Sequence, residues 1–184
     1  MVYILLGEGF EEAEALVTAD VLRRADLPVV LTGIGGTFVT GSHNITVQSG
    51  QPVESVALKE GDMVVLPGGM GGVASIENSE AAMALVRQAA GPGYWLAAIC
   101  AAPTLLARAG VLPKAVHCVC YPGLEGELSQ AGAVPMMDHS TVTEGELITG
   151  RGPGSAFDFG LALVEVLAGA GAAAQVCAGL QYAL

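Results

Sequence analysis

The chain has 184 residues, 52% of them hydrophobic and 14% charged, with a formal net charge of -11. That length suits one domain around one full core, so residues 1–184 are read as a single domain. The acidic balance disfavours nucleic acid, whose phosphates are met by Lys and Arg. The apolar start, Met-Val-Tyr-Ile-Leu-Leu, is short and lacks the basic flank of a signal peptide, which makes a cytoplasmic location the expectation.

Residues 2–6 form an apolar run that stops at Gly7-Glu8-Gly9, as a buried strand entering a loop does, and residues 11–25 then carry apolar side chains at helical spacing. Residues 29–32 are a β-branched strand, followed by two alternating segments, 38–40 and 45–48, that predict a small hairpin. Residues 63–66 predict a strand ending in the turn Pro67-Gly68-Gly69-Met70-Gly71-Gly72, and 79–90 a helix capped by Asn78. Residues 94–99 are a strand that passes directly into a helix over 101–109, where Pro103 is tolerated in the first turn and Gly110 ends it. Strands follow at 116–120 and 147–149, then a helix at 155–167 and a short one at 172–179. The uncharged run 166–184 approaches the length of a membrane span, but its Gly and Ala content reads as a packed helix, so no membrane role is expected. Alternating strands and helices predict an α/β fold, a mostly parallel sheet with helices on both faces and ligands beyond the carboxyl ends of the strands.

The segment Ala98-Ile99-Cys100-Ala101-Ala102 places a thiol between small residues where a strand turns into a helix, the spacing of a nucleophile elbow. The helix N-terminus is expected to favour the thiolate and lower its pKa. Gly69 and the Ala101 N–H are candidate backbone donors for an oxyanion. Glu11 and Glu14, three residues apart, share a helical face that Glu12 does not, and Glu14 lies deeper in an apolar stretch where burial raises a carboxyl pKa.

Five stretches now carry a resemblance: Gly9-Phe10-Glu11-Glu12-Ala13-Glu14, Asp20-Val21-Leu22-Arg23-Arg24-Ala25, Val64-Val65-Leu66-Pro67-Gly68-Gly69, Ala97-Ala98-Ile99-Cys100-Ala101-Ala102-Pro103 and Arg151-Gly152-Pro153-Gly154-Ser155-Ala156-Phe157. With them the chain resembles the ThiJ/PfpI superfamily, close to its DJ-one branch, over almost its full length. The resemblance implies a flavodoxin-like three-layer sandwich of the class I glutamine amidotransferase type and a homodimer. It also implies Cys100 as nucleophile or oxidation site, Glu14 as its hydrogen-bond partner, and Gly69 and Ala101 as donors. Glu11, Tyr121, Arg24 and Arg151 are candidates for the surrounding pocket. Many relatives have a histidine near the nucleophile; the matching position here is Tyr121, and His117, about 13 Å away along the strand, is a poor substitute.

The implied activity is glyoxalase-like or deglycase-like, on a small reactive carbonyl or its adducts under carbonyl or oxidative stress. The alternatives are a redox sensor or redox-regulated chaperone in which peroxide oxidises Cys100, and a peptidase, which Tyr121 disfavours because a phenol is a weak base at neutral pH. Neither cofactor nor metal is expected. Cys118 and Cys120 read as resting thiols without a matching zinc pair, and the β-branched residues after Gly33-Ile34-Gly35-Gly36 exclude a dinucleotide loop. Gly150–Ser155 precedes a helix and reads as a structural turn.

Overall fold

Runs of Val, Ile and Leu free of charge become the central strands of one sheet, because a strand covered by helices on both faces has no polar side. The computed structural model describes residues 1–182. Its first half holds β1 (Val2–Leu6), α1 (Glu12–Arg24), β2 (Val29–Gly33), the hairpin β3 (Phe38–Thr40) and β4 (Thr46–Gln48), the short β5 (Gln51–Pro52), β6 (Met63–Leu66), α2 (Met70–Glu77) and α3 (Glu80–Ala89). The second half holds β7 (Trp95–Ile99), α4 (Ala102–Arg108), β8 (His117–Cys118), α5 (Glu125–Gln130), β9 (Val134–Pro135), β10 (Thr141–Glu144), β11 (Leu147–Gly150), α6 (Ala156–Ala168) and α7 (Ala170–Gly179).

The main sheet has the order β10-β11-β7-β6-β1-β2-β5. Every pairing in it is parallel except β10 with β11. From β1 the chain steps one way to β2, and from β6 it steps the other way to β7. Right-handed crossovers then put α1 and α3 on opposite faces. α1 packs on α6, and α6 on α7, while α3 covers β6 and β7. The reversal between β1 and β6 is a topological switch point, and the loops leaving β1, β6 and β7 open above it.

Three sequence expectations are corrected. The helix over 79–90 is capped by Ser79, whose side chain accepts the Ala82 N–H at 3.2 Å, while Asn78 closes the preceding helix. That preceding helix, α2, begins at Met70 inside the glycine run taken as a turn; Gly71 and Gly72 sit in its first turn because the chain from Glu8 to Phe10 packs against it too closely for side chains. The strand expected over 116–120 is only two residues long and pairs with β9, outside the main sheet. No helix among the described residues is long and apolar enough to cross a membrane.

A candidate active site at the switch point

Ile99 ends β7 and α4 begins at Ala102, so the chain must reverse within two residues. Cys100 takes up that reversal in the left-handed region, at φ 65°. A non-glycine residue there stores strain of order 1–3 kcal/mol and needs surroundings that hold it. Both of its backbone groups are held: its N–H donates to the Gly150 carbonyl at 2.9 Å and its carbonyl accepts the Tyr121 N–H at 2.8 Å. Thr149 Oγ1 in turn accepts the Val119 N–H at 2.9 Å, tying the Tyr121 segment to β11. Cys100 is 9% exposed.

Glu14, in the first turn of α1, is 1% exposed. Its Oε2 accepts the Gly68 N–H at 2.6 Å, and the same carboxyl is hydrogen-bonded to the Cys100 side chain. Burial raises the Glu14 carboxyl to about 7, against the opposing pull of the Gly68 N–H and the thiol. Burial and the neighbouring Glu14 charge push Cys100 up to about 12, although the N–H groups of Ala101 and Gly69 act on the sulfur in the opposite sense. The helix N-terminus thus does not win by itself, contrary to the expectation of a depressed thiol pKa; removing the sulfur and the carboxyl from water together outweighs it. The two groups are coupled, and both are held above their ordinary ranges.

Gly68 is the residue that sequence reasoning missed. A Cβ there falls 2.6 Å from Cys100 Cβ, 2.8 Å from Glu14 Oε2 and 3.0 Å from Cys100 Sγ, so only glycine lets the β6 loop approach both groups. Gly69 follows at φ 80° with its Cβ direction blocked by the Gly9 carbonyl at 2.4 Å. Pro67-Gly68-Gly69 held the signal, but a turn and a close approach look alike in sequence.

Glu11 and Glu12 behave differently from the helical-face reading. Glu11 is the N-cap, with extended backbone, so the phase of α1 does not apply to it. Both carboxyls meet Ser42 Oγ, at 3.1 and 3.2 Å. Glu12 Oε1 also accepts the N–H groups of His43 at 2.7 Å and Ile45 at 3.3 Å, which anchors the β3–β4 turn over α1. Burial pushes Glu12 up, but bonds from its own N–H, His43 and Ile45 outweigh this and hold it at about 2. Glu11 reaches the thiol site through its charge, which raises Glu14, and through its N–H, which donates to the Gly68 carbonyl at 3.0 Å.

Tyr121 is half exposed beside the elbow, and its ring lies 3.2 Å from where a Gly152 Cβ would be. Arg151 and Tyr121 line the same small cavity. Within the chain Arg24 lies apart from it, ten residues beyond Glu14 on α1, about 15 Å along the helix, paired with Asp20 at 2.7 Å. His117 pairs with Glu144 at 2.6 Å, at the end of the β10–β11 pair remote from Gly150. Cys118 and Cys120 are free and buried, and burial raises them to about 11 and about 12.

A mostly parallel sheet with helices on both faces, and with a strained elbow and a buried carboxyl at its switch point, defines the class: a flavodoxin-like α/β protein. The chain belongs to the DJ-1/PfpI family, whose pattern it matches over residues 1–166. It is 38% identical to Protein dj-1beta of Drosophila melanogaster, over 98% of this chain and 96% of that protein. The crystal structure of Drosophila melanogaster DJ-1beta superposes with a TM-score of 0.93, covering 100% of this chain and 98% of that one at 36% identity. Glutathione-independent glyoxalase DJR-1.2 of Caenorhabditis elegans is 30% identical over 90% of this chain and 87% of its own length. The structure of oxidized Toxoplasma gondii DJ-1 superposes with a TM-score of 0.91 at 28% identity, covering 100% and 98%.

Proposed function

We propose that the chain is a cysteine-dependent enzyme of reactive carbonyls, with Cys100 as nucleophile, Glu14 as proton carrier, and the Gly69 and Ala101 N–H groups as donors to the developing oxyanion. The observation that carries this reading is a buried carboxyl set beside the elbow thiol, Glu14 and Cys100 both lying against Gly68. When Sγ bonds to an aldehyde carbon, the carbonyl oxygen takes up a proton and becomes a hydroxyl, so a nucleophile and its acid must act together. The pair supplies both near neutral pH. Glu14, when ionised, is a base for the C–H that the aldehyde carbon keeps in the adduct, suited to moving that proton to the adjacent carbon. A relative named for glutathione-independent glyoxalase activity supports the same class. The test is methylglyoxal consumption and hydroxy-acid formation by contaminant-free protein: the reading predicts loss on Cys100→Ala, and equal rates for the two proteins would refute it.

A second reading is favoured by the convergence of the Gly69 and Ala101 N–H groups on the sulfur. Those donors suit a sulfinate as well as an oxyanion, and peroxide would then be the reactant, oxidising the sulfur while being reduced to water. Intact mass after mild peroxide tests it, through a two-oxygen adduct absent from Cys100→Ser. Peptidase chemistry finds no imidazole at the elbow. We further propose a homodimer, for which Phe38, Ile45 and Met70 offer exposed apolar surface, and a cytoplasmic setting, in keeping with four free thiols.

A further inference from the structure

Beside the elbow lies a cavity of about 350 Å³, walled by Tyr121, Pro122, Ser140, Arg151, Gly152 and Asp158 among others. Its size suits a molecule of a few carbon atoms. Its position is set by the elbow backbone, because Gly150, next to Arg151, accepts the Cys100 N–H, and Tyr121 donates to the Cys100 carbonyl.

Arg151 is the one Lys or Arg among the lining residues. Its guanidinium makes a single long contact, 3.5 Å from Nη1 to the Met137 carbonyl. Among the described residues the arginines paired with a carboxylate are Arg24 and Arg108, so the exposed Arg151 has no internal ion pair to give up on meeting an anion. The acid in the same wall, Asp158, is engaged by the Tyr182 hydroxyl at 2.9 Å. A guanidinium offers a planar fork of donors that matches a carboxylate. On the other side of the elbow, Glu14 Oε1 is buried without a hydrogen-bond partner.

Resting on the carbonyl chemistry proposed above, we infer that the preferred substrate is an α-oxoaldehyde with a carboxylate tail, the tail seated on Arg151. Neutral methylglyoxal fills the reacting end and leaves the arginine unused.

The experiment compares γ,δ-dioxovalerate with its methyl ester as substrates of wild type, Arg151→Gln and Arg151→Lys. Wild type should prefer the acid in kcat/KM by about tenfold, as one charge-assisted contact gives. Arg151→Gln should cancel that preference through KM rather than kcat, and Arg151→Lys should recover part of it. In parallel, levulinate, which carries the same tail without the aldehyde, is titrated into Cys100→Ser protein by NMR, with and without Arg151→Gln; a loss of about tenfold in affinity is expected. Equal kcat/KM for acid and ester, or levulinate binding indifferent to Arg151→Gln, overturns the anion seat. No turnover of either compound by wild type, with levulinate binding still dependent on Arg151, overturns the carbonyl reading and leaves the seat standing.

Discussion

Glu14 and Cys100 share a hydrogen bond although they are 86 positions apart and follow different strands, the carboxyl on α1 after β1 and the thiol at the end of β7. Each raises the cost of a second negative charge on the other. Glu14→Gln removes the charge and leaves a side chain that donates, so the sulfur should ionise more readily. The Cys100 thiolate absorbance, taken as the difference from the matching Cys100→Ser protein, should show a transition moved down from about 12 toward the ordinary thiol range. A transition that stays where it is in wild type would separate the two residues.

The same carboxyl makes stability depend on pH with a definite sign. Its folded pKa, about 7, lies above the ordinary 4.5, so the folded protein holds a proton that the unfolded chain releases. Stability therefore falls as pH rises from 4.5 to 7, by up to about 3 kcal/mol for a shift of this size. Urea unfolding across that window should show the fall in wild type and a flatter profile in Glu14→Gln.

Glu12 works in the other direction. Held at about 2, it stabilises the fold above its ordinary pKa of 4.5 and loses that contribution as pH drops toward 2. Glu12→Gln should cost about 2 kcal/mol near neutral pH, since the Ser42–Ile45 turn loses its acceptor charge, and the cost should shrink in acid. Proteolysis within the β3–β4 turn should rise with it.

Gly68→Ala puts a methyl against both reacting groups. Alkylation of Cys100 by iodoacetamide should slow by about tenfold or more while the far-ultraviolet dichroism is retained. An unchanged rate would mean that the β6 loop does not confine the thiol.

The strain at the elbow is measurable in two variants. Cys100→Gly should be more stable than Cys100→Ala by about 1 kcal/mol, because glycine alone accepts φ 65° without cost. Equal stabilities would remove the strain argument.

Most of the sheet was legible from residue patterns. Apolar runs gave β1, β6 and β7, and the small residues around Cys100 gave the elbow, because the sterics of that turn act on side chains that sequence displays. What stayed hidden depends on close approach between distant segments. The glycines of α2 read as a turn, since nothing local says that Glu8–Phe10 will press against them. Glu11 and Glu12 read as helix-face residues, whereas the N-cap backbone at Glu11 and the arrival of Ser42 and His43 decided their contacts. The thiol pKa was misjudged for the same reason: the dipole is a local feature, and burial is a global one. Arg24 lay in a matching stretch, but helical rise carried it away from the site.

The elbow backbone is clamped by Gly150 on one side and Tyr121 on the other, through main-chain atoms alone. The position of the atom beyond Cβ is consequently set without reference to its chemistry. A serine at position 100 would have its oxygen delivered to the same spot, facing the same carboxyl and the same two N–H groups. The fold is thus a holder with an exchangeable tip, and the reaction it performs is decided by what that tip is and by the loops around it.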